Sequence, residues 1–139
     1  MGYIYAELSL TNPSKPDLKP VNVRALCDSG AIQSCLPAHI ANQLGLAFSE
    51  NREVSTADGA VHNVPYVGPL QIAFDNRKCF TGAFVLGDEV LLGAIEMQAM
   101  DVILNPRLEI LTVNPASPNI ATGKVKGGMK QIWREEEHG

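Results

Sequence analysis

The chain has 139 residues, enough for one domain whose core needs neither disulfides nor structural metals. Its 11 basic and 15 acidic residues leave a formal net charge of −4 without any basic stripe, which speaks against nucleic acid as a partner. A composition 45% hydrophobic and 19% charged suits a soluble globular protein, and 12 Gly and 9 Pro favour short strands and turns over long helices.

The first expected strand runs from Tyr3 to Leu10, where Ile4, Ala6, Leu8 and Leu10 alternate with Tyr3, Tyr5, Glu7 and Ser9. Thr11 to Pro20 is rich in Pro, Asn, Ser and Asp and reads as the long tip of a hairpin. The hairpin's second strand, Val21 to Cys27, runs directly into Asp28-Ser29-Gly30. Leu36 to Gly45 reads as a short helix, with Pro37 at its first position, Ile40 and Leu44 on its buried stripe and Gly45 at its stop. Arg52 to Ala57 and Val61 to Val67 flank Asp58-Gly59, a strong hairpin signal. Leu70 to Phe74 and Cys79 to Leu86 form another pair around Asp75-Asn76-Arg77. Val90-Leu91-Leu92-Gly93 is a compact apolar run that leads into a second short helix, Ala94 to Met100. Asp101 to Pro106 and Leu108 to Val113 close the domain as a last hairpin.

After Asn114 the chain turns rich in Pro, Gly and Lys and ends acidic, so residues 114–139 read as an extended or disordered C-terminal arm on a domain spanning 1–113. The charge cluster from Arg134 to Glu137 reads as a solvated terminus. Strands and helices do not alternate as parallel βαβ units require, so the expected class is all-β, a barrel or sandwich of hairpins with one or two short helices.

Three cysteines, Cys27, Cys35 and Cys79, lack CxxC or Cys-His finger spacing, so buried apolar packing is the expected role and no metal is called for. An odd cysteine count, an N-terminus without a basic region, and no apolar run long enough for a membrane span set the expectation of a cytoplasmic protein. His39 and His62 read as surface residues, and no Gly-x-Ser-x-Gly elbow or phosphate-binding glycine loop is present.

Asp28-Ser29-Gly30-Ala31 places a carboxylate on a tight turn at the end of a buried strand. Gly30 is expected to permit a strained or left-handed backbone and to let substrate come close, and Ser29 is able to hold the turn through a local hydrogen bond. Asp-Ser-Gly is also ordinary turn chemistry, so the tripeptide alone decides little. Its context decides more: Ala25-Leu26-Cys27-Asp28-Ser29-Gly30-Ala31, a short helix, the Asp58-Gly59 hairpin, then Leu91-Leu92-Gly93 followed by Ala94-Ile95-Glu96-Met97.

That order, over Tyr3 to Val113, resembles the retropepsin family of retroviral-type aspartic proteases and is most similar to its bacterial single-domain members. The resemblance implies a closed β-barrel of the acid-protease type and an aspartic endopeptidase acting on polypeptides without cofactor or metal. Asp28, Ser29 and Gly30 match its catalytic loop, with the Ser29 hydroxyl bracing the paired loops across a two-fold axis. Ala31 and Ile32, and the flap residues Ala57, Asp58, Gly59 and Ala60, match positions beside the substrate. The chain has a single Asp-Ser-Gly, so a dyad requires a homodimer that brings two copies of Asp28 together. The alternative is a protease-like domain that dimerises and binds peptide without efficient hydrolysis. In one respect the chain departs from the family: retropepsins follow the second-motif Gly with Arg and then Asp or Asn, whereas Ala94 and Ile95 stand here, so any polar tie from those positions is expected to be lost.

Overall fold

The computed structural model describes residues 3–123 and Trp133. Its elements in chain order are β1 (Ile4–Thr11), β2 (Val21–Cys27), β3 (Cys35–Leu36), α1 (Ala38–Gln43), β4 (Ala47–Ser55), β5 (Val61–Phe74), β6 (Arg77–Val85), β7 (Leu91–Leu92), α2 (Ala94–Met100), β8 (Val102–Asn105) and β9 (Ile110–Val113).

The alternation in β1 sends Ile4, Ala6, Leu8 and Leu10 inward, and β2 pairs with it antiparallel from Ile4↔Cys27 to Leu10↔Val21. The main sheet runs β1-β2-β7-β3-β6-β5-β4. A further antiparallel pairing joins β1 back to β5, with Ser9, Leu10 and Thr11 opposite Ala73, Ile72 and Gln71. Six strands therefore close into a barrel, while β4 stays outside the ring and pairs only with β5. Leu10, Leu36, Leu44, Leu70, Leu92 and Met100 fill the interior and are essentially inaccessible. Each such side chain contributes about 1.5–3 kcal/mol by leaving water. β8 and β9 form a separate two-stranded sheet.

Two short helices seal the barrel. Pro37, extended at φ −62° and ψ 152°, is the residue that caps α1, one place earlier than a first helical position. Gly45, at φ +61°, ends the turn as expected. Buried Asn12, just beyond β1, donates its side-chain amide to the Leu44 and Gly45 carbonyls at 3.0 and 3.2 Å, so the far end of α1 is tied to the barrel.

Three elements differ from expectation. Leu36 belongs to the two-residue strand β3 rather than to the helix, because Cys35 and Leu36 pair with Phe84 and Val85 of β6. The stretches 61–67 and 70–74 are one strand, β5, with a register shift between Val67 and Leu70 that accommodates Gly68-Pro69. β4 begins at Ala47, five residues before the expected start, since its pairing with β5 extends back to Gly68.

Asp101, in the left-handed region at φ 55°, ends α2 and collects the chain that follows β9. Its Oδ1 accepts from the Asn114 side-chain amide at 3.0 Å, and its Oδ2 accepts from the Thr122 amide at 3.0 Å and from the Ser117 hydroxyl. These bonds, the Ser117 hydroxyl first, hold its carboxyl at about 2, down from the usual 3.8. Buried Arg77 donates to the Ser117 carbonyl and Asn76 donates to the Pro118 carbonyl, so residues 114–122 lie fastened against the barrel. The rest of the expected arm, apart from Trp133, lies outside the described residues.

Candidate active site

β2 pairs in parallel with β7, placing Leu26 beside Leu91 and Cys27 beside Leu92. The pairing continues one residue further: the Asp28 amide donates to the Leu92 carbonyl at 3.0 Å. The two sequence motifs are thus adjacent strands, and the second sits directly behind the first. Asp28 leaves the end of β2 half-buried, with Ser29 and Gly30 exposed beyond it.

The turn is closed by Asp28 itself. Its Oδ1 accepts from the Gly30 amide at 2.9 Å, and its carbonyl accepts from the Ala31 amide at 3.1 Å. This differs from expectation in two respects. The Ser29 hydroxyl makes no hydrogen bond among the described residues, so it does not hold the turn. Gly30 is not left-handed either; its small size matters because a Cβ there would stand 3.2 Å from Asp28 Oδ1.

The loop then docks on α2. The first amides of a helix have no partner within it. Here Ala94 donates to the Ala31 carbonyl at 2.8 Å and Ile95 to the Ile32 carbonyl at 3.0 Å. The Gly93 amide donates to the Ser34 hydroxyl at 2.9 Å, where both groups are buried. Ser34 in turn donates its hydroxyl and its amide to Glu96 Oε1, at 2.5 and 2.8 Å. Thr81 of β6 donates to Glu96 Oε2 at 3.0 Å. Glu96 and Ser34 are each 1% exposed.

The side chains of Ala94 and Ile95 make no polar tie, as expected; a carboxylate at the next position, Glu96, makes one instead. Sequence reasoning passed over Ser34, Thr81 and Glu96 as site residues. The available signal was the position of Glu96, next to Met97 and four before Met100, on the one stripe of α2 that faces inward.

The flap candidates lie on another element, the β4–β5 hairpin. Asp58 Oδ1 accepts from the Thr56 hydroxyl at 2.5 Å and the Ala60 amide at 3.1 Å, and Gly59 takes φ +83°. The Thr56 hydroxyl, followed by the Ala60 amide, lowers the Asp58 carboxyl from its usual range. Ala57, Asp58 and Gly59 are exposed, as is His62. At the base of the hairpin the Arg52 guanidinium lies 3.8 Å from the centre of the Tyr66 ring, which meets Phe84 edge-on at 5.4 Å. The nine candidates thus form two groups, Asp28 to Ile32 on one loop and Ala57 to Ala60 on the hairpin tip.

A groove flanks the loop on its α2 side, lined by Ser29, Ala94, Met97, Gln98 and Ile103 among others. Cys27, Cys35 and Cys79 are buried free thiols. Burial pushes Cys27 and Cys79 up to about 11, with the Glu96 carboxylate adding to the effect at Cys79. Cys35 is raised by burial and then by the Glu96 and Asp28 carboxylates. Thiols held protonated in this way are poor nucleophiles. No cluster of His, Cys, Asp and Glu suited to a metal ion occurs among the described residues, and no helix among them is long and apolar enough to cross a membrane.

No family model and no curated protein matches the chain. Solved structures do. EIAV protease, complexed with the inhibitor HBY-793, superposes with a TM-score of 0.56 at 18% identity, covering 70% of this chain and 86% of that one. The retroviral protease-like domain of Ddi1 from Leishmania major superposes with a TM-score of 0.54 at 14% identity, covering 81% of this chain and 90% of that one. At such identities the likeness is one of fold. With its closed six-strand barrel and two short helices, the chain has the retropepsin-like fold.

Proposed function

We propose that the chain is one half of an aspartic endopeptidase, completed when a second copy brings its own Asp28 beside the first. The observation that carries this reading is the backing of Asp28 by the Leu92 carbonyl, which joins Asp-Ser-Gly to Leu-Leu-Gly and fixes a half-exposed carboxylate at a barrel end. Two such carboxylates sharing one proton supply both functions that peptide hydrolysis needs. The ionised one takes a proton from water as the water attacks, and the neutral one donates a hydrogen bond to the scissile carbonyl. Like charges in contact cannot both ionise, so the pair acts as a unit.

Within this reading the single Asp-Ser-Gly motif requires a two-fold pair, since an isologous contact sets like residues face to face. Ser29, exposed and without a hydrogen-bond partner among the described residues, is placed to brace the facing loop. Ala31 and Ile32 on the loop and Ala57 to Ala60 on the hairpin tip flank an extended polypeptide, and neither metal nor cofactor takes part. The neighbour solved with an inhibitor has the same fold, which supports a cleft of this kind.

The test is cleavage of an unfolded polypeptide across pH 3–7 by wild type and Asp28→Asn, alongside light scattering. Asp28-dependent cleavage by a dimer supports the proposal. Equal cleavage by the variant, or a strict monomer that cleaves, overturns it. A dimer that binds peptide without turnover at every pH replaces it with the reading of a peptide-binding domain.

A further inference from the structure

Glu96 is a carboxylate on the inward stripe of α2, 1% exposed, with no cation beside it among the described residues. Burying such a group is costly unless its oxygens are fully served. Here three donors from two elements converge on it: the Ser34 amide, the Ser34 hydroxyl and the Thr81 hydroxyl. Because Ser34 spends its only proton on Glu96, its oxygen lone pairs point elsewhere, and one of them accepts from the Gly93 amide at 2.9 Å. Glu96 therefore sets the orientation of the hydroxyl that holds Gly93. Gly93 follows Leu92, whose carbonyl holds Asp28.

We infer that Glu96 is a positioning residue for Asp28, acting through Ser34 and Gly93 and never touching substrate. The inference rests on the proposed peptidase reading. Thr81 extends the linkage toward the hairpin, for its neighbour Gly82 lies against the Tyr66 ring that carries Arg52.

The same geometry says which replacement is tolerated. The Thr81 hydroxyl lies 3.0 Å from both Glu96 Oε2 and the Gly82 carbonyl, but it has one proton to give. Glutamine at position 96 keeps an oxygen for Ser34 and turns an amide toward Thr81, whose proton then goes to Gly82. Every group remains served. Leucine has the volume but no acceptor, so the Thr81 proton turns to the Gly82 carbonyl while the Ser34 amide and hydroxyl protons lose their acceptor.

Wild type, Glu96→Gln, Glu96→Leu and the milder Ser34→Ala are compared by steady-state cleavage and by hydrogen exchange of the segment 91–97. The expected result is a kcat lowered by about tenfold to a hundredfold in Glu96→Leu, a KM little changed, and near-normal kcat in Glu96→Gln. Exchange at Gly93, Ala94 and Ile95 quickens in Glu96→Leu and Ser34→Ala, while β1 and β2 keep their protection. Unchanged kcat and exchange in both of those variants, or equal losses in Glu96→Gln and Glu96→Leu, overturns the inference. Should Glu96→Leu fail to fold, Ser34→Ala and Glu96→Gln decide between the same outcomes. Absence of any Asp28-dependent cleavage in wild type defeats the peptidase reading alone, because the exchange data still report whether Glu96 orders the loop.

Discussion

Gly93 stands so close to Gln33 that a Cβ on it would come within 2.5 Å of the Gln33 carbonyl carbon. The loop leaving Asp28 crosses directly over the start of α2 at this point, and only a residue without a side chain lets the two backbones meet. Gly93→Ala is expected to destabilise the protein by about 1–3 kcal/mol, since neither backbone is free to retreat. Urea melts of the two proteins measure this directly, and equal midpoints would show that the crossing is looser than the geometry implies.

Asp28→Asn is expected to keep the fold and the melting midpoint close to wild type while lowering kcat by about 10²–10⁴-fold, the range for loss of a general base. Among the described residues the side chain's only bond is the local one from the Gly30 amide, and the Asn oxygen accepts it equally well. Circular dichroism together with cleavage of a disordered polypeptide separates the two effects.

The Asp101 clasp should leave a mark on acid stability. Its carboxyl titrates near 2 when folded and near 3.8 when free, so it contributes fully above about pH 4 and the contribution fades as pH falls toward 2. Asp101→Ala removes the acceptors of Asn114, Ser117 and Thr122. Its melting midpoint is expected to lie below that of wild type at pH 5 and to approach it at pH 2.5. A pH-independent gap between the two would mean that the clasp does not depend on the ionised carboxylate.

The flap tip offers a contrasting case. Asp58→Ala deletes the acceptor shared by the Thr56 hydroxyl and the Ala60 amide on a fully exposed turn. Global stability should stay close to that of wild type, as at most surface sites. The Ala60 amide is expected to exchange faster, and KM for peptide to rise more than kcat falls.

Much of this could be read from residues alone, and the exceptions share a cause. β1 and β2 were visible because each buries alternate side chains, a pattern local to the strand. Asp58-Gly59 announced its turn by backbone chemistry. β3 is two residues long and exists only because β6 and β7, some 50 residues away in sequence, hold it on either side. The Gly68-Pro69 pair looks like a break, yet pairing resumes on both flanks and β5 runs through it. The pairing of the Asp28 strand end with Leu91-Leu92 joins two motifs that were singled out from their order in the chain. Glu96 was missed because an acidic residue in the first turn of a helix is ordinarily a solvated one that favours the helix dipole. Only its place on the stripe with Met97 and Met100 marks it as inward-facing.

β5 has two occupations along one continuous backbone. From Leu70 to Phe74 it is a stave of the closed barrel, gripped by β1 and β6; pairing with β6 resumes beyond Gly68-Pro69 at Val67 and Tyr66, and only from Val61 to Pro65 is it held by β4 alone. The part of the hairpin that stands clear of the ring is therefore the stretch from Val61 to Pro65 with its β4 partner, roughly 15 Å long at strand rise. A bend of a few degrees above Tyr66 would displace the tip by about an ångström and leave every pairing of β5 with β1 and β6 in register. On the proposed peptidase reading, admitting a polypeptide would then require no strand to leave the barrel.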